Sequence, residues 1–230
     1  MIRREATDFV DRLAAVRFSA AFNPYSELCT DHDLPDAPAI RRRNLEIVLS
    51  KAISNGVESI WIARDLGYRG GRRTGLALTD DVTLDHHARM WRVDGLQRST
   101  LGPPMPERTA ALIWQVLGAV DRPVFLWNVF PLHPHQPNDP MSNRCHTRRE
   151  REQVSPLLAW LVDILKPKHL VAIGRDAELA LSGFSCPTNA VRHPSYGGQT
   201  DFLRQSSAIY GIKAEKLLNK GSSQAELAFH

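Results

Sequence analysis

Cysteine is scarce in this chain. Three residues, Cys29, Cys145 and Cys186, stand far apart among 230 and form no CxxC pair. An odd, scattered set without ligand spacing argues against a thiolate-bound cluster or a zinc ribbon and fits a reducing compartment. Long apolar runs are also missing: none approaches the ~18 residues that span a bilayer. The opening segment, MIRREATDFVDRL, carries charge where a secretory signal carries an apolar core. A cytoplasmic protein without membrane contact is expected. No repeat and no linker breaks the chain, which predicts one domain over residues 1–215 and a flexible tail over 216–230. The loop LGYRGGRRTG (66–75) lacks the Lys-Ser/Thr ending of a P-loop, so a nucleotide enzyme built on it ranks low.

What is present is an ordinary apolar fraction, 43%, enough for a sizeable core. The net charge of +4 and pI near 9.1 are mildly basic and weak evidence for a polyanionic partner. The clustering says more: arginine is dense at 41–43, 69–73 and 144–151.

Hydrophobic spacing predicts helices over 3–16, 39–54, 106–119, 152–166, 175–182 and 200–217. Ser155-Pro156 reads as the start of the fourth of these. Apolar runs predict strands over 57–63, 123–130, 168–174 and 187–192. The stretch 76–104 reads as irregular. PLHPHQPNDPMSNRCHTRRER (131–151) reads as a long functional loop. Strands alternating with helices predict a parallel sheet covered on both faces.

Three of these strands deliver a reactive side chain at or near the carboxyl end: Asp65, Asn128 and His193. In open α/β sheets such ends lie along one edge, where ligands bind. Each residue alone has a plainer reading. An Asp after a strand is often a helix cap, an Asn in an apolar run satisfies loop backbone, and His-Pro marks a turn. Their order beside a glycine–arginine loop carries the argument.

These motifs resemble the uracil-DNA glycosylase superfamily over roughly residues 45–205. ARDLG (63–67) is similar to the family's GQDPY and GEAPG motifs, Asn128 in WNVFPLHPH to the strand asparagine, and His193-Pro194-Ser195 to the HPS motif. The resemblance implies a three-layer α/β/α sandwich with a short, mainly parallel four-stranded sheet. It implies a DNA glycosylase that flips out uracil or a related damaged base and hydrolyses its N-glycosidic bond, with no metal or organic cofactor. DNA containing the damaged base would be the partner, in the nucleoid.

On that resemblance, Asp65 stabilises the sugar cation and positions water, and His193 hydrogen-bonds the base. Asn128 reads the base edge. Leu78, Gly67 and Tyr68 shape the base pocket. Arg69, Ser195, Arg144 and Arg148 meet the DNA backbone, and Tyr196 is the candidate wedge. The sequence departs from the family at Arg64, Leu66 and Leu78, the last replacing a stacking aromatic, and it lacks the iron–sulfur cysteines. Those departures motivate an alternative, a DNA-binding module of the same fold without turnover. His133, His135, Cys145 and His146 lack metal-ligand spacing. FNPYSE (22–27) reads either as a capped loop or as a pocket mouth lined by Asn23 and Tyr25.

Overall fold

The structure, a computed structural model, describes residues 2–218. The chain runs α1 (Ile2–Ala15), β1 (Ala21–Phe22), α2 (Ala37–Asn55), β2 (Ser59–Asp65), α3 (Gly71–Thr74), α4 (Leu84–Trp91) and α5 (Arg108–Leu117). It continues β3 (Val124–Phe130), β4 (His133–Pro134), α6 (Arg148–Leu165), β5 (His169–Ile173), α7 (Arg175–Leu181), β6 (Thr188–Val191) and α8 (Gln199–Ile209). The main sheet has the order β3-β2-β5-β6 with every pair parallel.

Side chains alternate across this sheet and are buried on both faces, which is why its strands read as continuous apolar runs. Ile60, Ile62, Phe125, Trp127 and Leu170 enter a core shared with α1, α2, α6 and α7. Trp61, Ala63, Leu126, Val171 and Ile173 face the other way, against α5 and α8. The expected three-layer α/β/α sandwich is the one observed. No described helix is long and apolar enough to cross a membrane.

The chain leaves β2 for β3 on one side and later crosses to β5 on the other. A crevice therefore opens beyond the carboxyl ends of β2 and β5, where connections diverge.

Several local expectations change. β2 runs through Asp65, so that residue ends the strand and does not start the loop. The stretch 76–104 contains α4. A two-stranded antiparallel sheet, β1 with β4, ties the long loop to the N-terminal region. Helix α6 begins at Arg148, because Thr147 and Glu150 form a capping box, and Pro156 lies inside it. The bond that Pro156 cannot donate to the Glu152 carbonyl is replaced by the Ser155 hydroxyl, 2.9 Å from that oxygen.

Asn23 and Tyr25 are buried and do not line the crevice at the ends of β2 and β5. Asn23 Nδ2 donates to the Leu13 carbonyl at 2.8 Å, and Tyr25 donates to Gly75 O at 2.8 Å, so FNPYSE is a capped loop. Residues 215–218 form a helical turn, with Leu217 2% exposed. The first part of the expected tail thus packs on the domain, and 219–230 lie outside the described residues.

Two buried histidines make the fold acid-sensitive. His87 pairs with the Thr79 hydroxyl at 2.9 Å, and His133 Nδ1 accepts from Arg72 at 2.9 Å. Burial lowers both to about 3, with the Arg72 charge adding to the effect at His133. A lowered folded value means that their stabilisation is complete above the unfolded value of about 6.5 and is lost as pH falls toward about 3. Each adds up to about 1.4 kcal/mol per pH unit to the acid slope of unfolding free energy. Urea unfolding of His87→Gln between about pH 6 and about pH 4 is expected to show a slope shallower by about one proton. An unchanged slope would contradict the neutral, buried state of His87.

Candidate active site

A cavity of about 350 Å³ occupies the crevice at the ends of β2 and β5. That volume is within the usual small-molecule range of about 300–1,000 Å³. Asp65, Gly67, Leu78, Arg144, His193, Ser195 and Tyr196 line it, seven of the positions singled out by sequence. A larger hollow of about 600 Å³ beside Trp91 and Trp114 contains none of them.

Asp65 is held from two sides. Arg64 Nε donates to its Oδ2 at 2.6 Å, and Nδ1 of His146 contacts its Oδ1. The side chains of Asp65 and His146 are each only 6% exposed. Partners on both oxygens fix the orientation of the carboxyl group. His146 packs against Phe130, ring centroids 5.7 Å apart.

His193 follows β6. Its Nδ1 accepts from the Ser195 backbone N–H at 3.2 Å, which leaves the imidazole proton on Nε2. Burial lowers its pKa below the ordinary histidine value, and the Arg64 charge lowers it further. Neutral His193 is therefore a hydrogen-bond donor at neutral pH.

Leu78 forms part of the apolar wall with Leu66. It sits in left-handed backbone, φ 54°, a strained state for leucine, and its carbonyl accepts from Trp114 Nε1 at 3.1 Å. Tyr196, also at positive φ, is 100% exposed at the cavity rim.

Other expected residues sit elsewhere. Asn128 is buried outside the cavity wall, its Nδ2 donating to the Asp65 carbonyl at 2.9 Å and its Oδ1 without a protein partner. It braces the end of β2 with one amide N–H, which leaves the second N–H and the Oδ1 without a protein partner among the described residues. Tyr68 turns toward Arg69, whose Nε reaches its hydroxyl at 2.7 Å, and neither lines the cavity.

Arg144 has no donor left for a phosphate. Its guanidinium binds both Glu150 oxygens and the carbonyls of Ala20, His135 and Cys145, using all five N–H groups. Arg148 is exposed and pairs with Glu152 at 2.7 Å on the α6 surface.

The glycine–arginine loop is not the open basic cradle that its composition suggests. Arg69 is exposed, but Arg72 and Arg73 are buried. Arg72 lies 3.8 Å over the Phe22 ring, and Arg73 pairs with Asp81 at 2.8 Å. Among the described residues no group of three or more His, Cys, Asp or Glu is gathered closely enough to hold an ion.

Two features of the site escape sequence reasoning. His146 reads in sequence as part of a basic loop and as one of several scattered histidines, with nothing that ties it to Asp65. Glu107 lines the cavity but reads in sequence only as part of the first turn of the expected helix 106–119, and the structure starts that helix just after it, at Arg108.

Fold and cavity define a class: an α/β/α sandwich with a carboxylate and a neutral histidine meeting at the ends of parallel strands. No family model matches the chain, and no curated protein matches it in sequence. Among solved structures it is similar to "The crystal structure of WT Pedobacter heparinus SMUG2". The TM-score is 0.59 with 14% sequence identity, and the match covers 94% of this chain and 98% of that one. At that identity the likeness establishes a shared fold.

Proposed function

We propose that this protein is a DNA glycosylase that extrudes uracil or a related damaged base and hydrolyses its N-glycosidic bond. The observation that carries the reading is the meeting of Asp65 and His193 in one cavity from distant parts of the chain. The motif resemblance to the uracil-DNA glycosylase superfamily and the fold shared with SMUG2 support it.

Cleavage of the C1′–N bond leaves its electron pair on the base and positive charge on the sugar. Ionised Asp65, oriented by Arg64 and His146, stabilises that cation and positions the water that adds to C1′. His193 donates from Nε2 to the base oxygen where negative charge develops, the task that its neutral state suits. Leu66 and Leu78 cover the base without π-stacking. In this reading Ser195, Arg69 and Arg148 meet the flanking phosphates, and Tyr196, which is fully exposed, fills the vacated stack.

The test is base release from oligonucleotides carrying uracil, hypoxanthine, xanthine or hydroxymethyluracil, read as alkali-labile abasic sites. No release from any of them would refute the enzymatic reading. Salt-sensitive DNA binding without release would instead favour a binding module of this fold.

The pH profile gives a further expectation. The lowered pKa of His193 places the acid limb of base release below the ordinary imidazole range of about 6.5. An acid limb that follows an unperturbed histidine, or its persistence in His193→Gln, would contradict a neutral His193 donor.

A further inference from the structure

Glu107 immediately precedes α5 and makes no side-chain cap to it. Its backbone N–H is taken by Asp80 Oδ2. The carboxyl instead lies against the loop that follows β2. A Cβ built on Gly67 would sit 2.7 Å from one carboxyl oxygen, and one on Gly70 would sit 1.9 Å from the other. The loop is glycine at both positions that face this group, and any side chain there would displace it.

The same residue lines the cavity with Asp65, His193 and Leu78. Asn128, to which the resemblance gives base reading, does not line this cavity, and one of its amide N–H groups is engaged by the Asp65 carbonyl. Building on the glycosylase reading, we propose that the Glu107 side chain reads the hydrogen-bonding edge of the extruded base.

Burial and the neighbouring Asp80 charge raise the Glu107 carboxyl to about 7, and Arg69 opposes them. Asp80 cannot relieve the pressure by swinging away, because its oxygens also accept from Val82, Thr83 and the Thr83 hydroxyl. The charges on the other walls are largely paired. Asp65 is held by Arg64 and His146, Arg144 by Glu150, and Asp176 at the start of α7 by Arg64. His193 is neutral, and Arg175 is the remaining charged residue on the α7 side.

A protonated carboxyl presents one donor and one acceptor in a plane. That pair matches the adjacent C=O and N–H of a lactam, the edge shared by uracil, hypoxanthine and xanthine. The carboxylate would oppose the carbonyl of the same edge. Glu107 thus selects lactam bases while its proton is present.

The experiment measures single-turnover release of uracil from about pH 5.5 to about pH 9 for wild type, Glu107→Gln and Glu107→Leu. It also measures binding to duplex carrying 2′-fluoro-substituted deoxyuridine, whose fluorine disfavours the sugar cation and so resists cleavage. Wild-type release is expected to fall as pH rises through about 7. Glu107→Gln keeps a donor and an acceptor and should stay within about tenfold while losing that alkaline limb. Glu107→Leu should lose about 10- to 100-fold in release and in preference for the fluorinated base over undamaged duplex.

Thermal melting identifies a variant that fails to fold, and Glu107→Gln, which changes no shape, then decides. Release by wild type with an unchanged rate in Glu107→Leu, or with the alkaline limb intact in Glu107→Gln, overturns the base-reading role and leaves the glycosylase reading standing. No release by wild type, but Glu107-dependent preference for the fluorinated base, does the reverse. Loss of base preference in Asn128→Ala but not in Glu107→Leu returns the role to Asn128.

Discussion

Replacing Asp65 by Asn is expected to lower single-turnover base release about 10³-fold while leaving the fold intact. The exchange keeps the shape of the side chain and removes the charge that the proposed mechanism sets against the sugar cation. It also replaces one of the two oxygens, Oδ2 that accepts from Arg64 or Oδ1 that contacts His146, by an NH2 group that cannot accept. A loss of about 10³ corresponds to roughly 4 kcal/mol of transition-state stabilisation, a size that a preorganised charge in a sheltered site can supply.

His146→Gln should cost less, about 10-fold to 100-fold, because it loosens the carboxylate without removing it. The order of the two effects is the diagnostic. Rates within tenfold of wild type for Asp65→Asn would remove Asp65 from the chemistry. A His146 variant worse than the Asp65 variant would point to His146 acting on substrate directly.

Arg41→Ala is expected to lower unfolding free energy by about 3–5 kcal/mol. Arg41 is fully buried in α2 and pairs with buried Asp33, one contact being 2.9 Å, while its Nε donates to Arg73 O at 3.1 Å. Removing the guanidinium strands the Asp33 carboxylate away from water and releases the carbonyl of Arg73. For a chain of this size that is a fall in melting temperature of about 6–20 °C.

The double exchange Arg41→Met with Asp33→Leu leaves no unpaired charge and should recover much of the loss. Equilibrium urea unfolding of wild type, Arg41→Met, Asp33→Leu and the double variant measures the coupling. A single-variant cost below about 1 kcal/mol would show that the pair is not buried as described. The pair also matters to the site. Gly75 packs directly against the α2 backbone at Arg41, so loosening this contact frees the segment that leads into Leu78.

The arginines show how composition misleads at close range. Clusters at 41–43 and 69–73 read as surface for a polyanion, yet Arg41, Arg72 and Arg73 are internal struts. A guanidinium can be buried when acceptors meet its fork, and whether they do depends on segments distant in sequence. Arg144 repeats the lesson, since its partners come from α6 and from Ala20.

Pro156 is different, because the signal was present. Thr147 and Glu150 stand in capping-box spacing, and that local pattern outranks a Ser-Pro pair as a helix start.

Sequence alone determined the alternation of helix and strand, the parallel sheet with both faces covered, and the arrival of Asp65 and His193 at strand ends. Those features rest on local rules: a period of two or 3.6 residues, β-branched runs and glycine stops. Only the tertiary structure decided which of these groups share a cavity. It brought His146 onto Asp65, turned the amide of Asn128 to brace β2, and set Glu107 against Gly67 and Gly70. Such contacts join segments that no local period connects. They depend on strand order, on where each loop crosses the sheet edge and on which buried charges find partners, and these are properties of the packed chain.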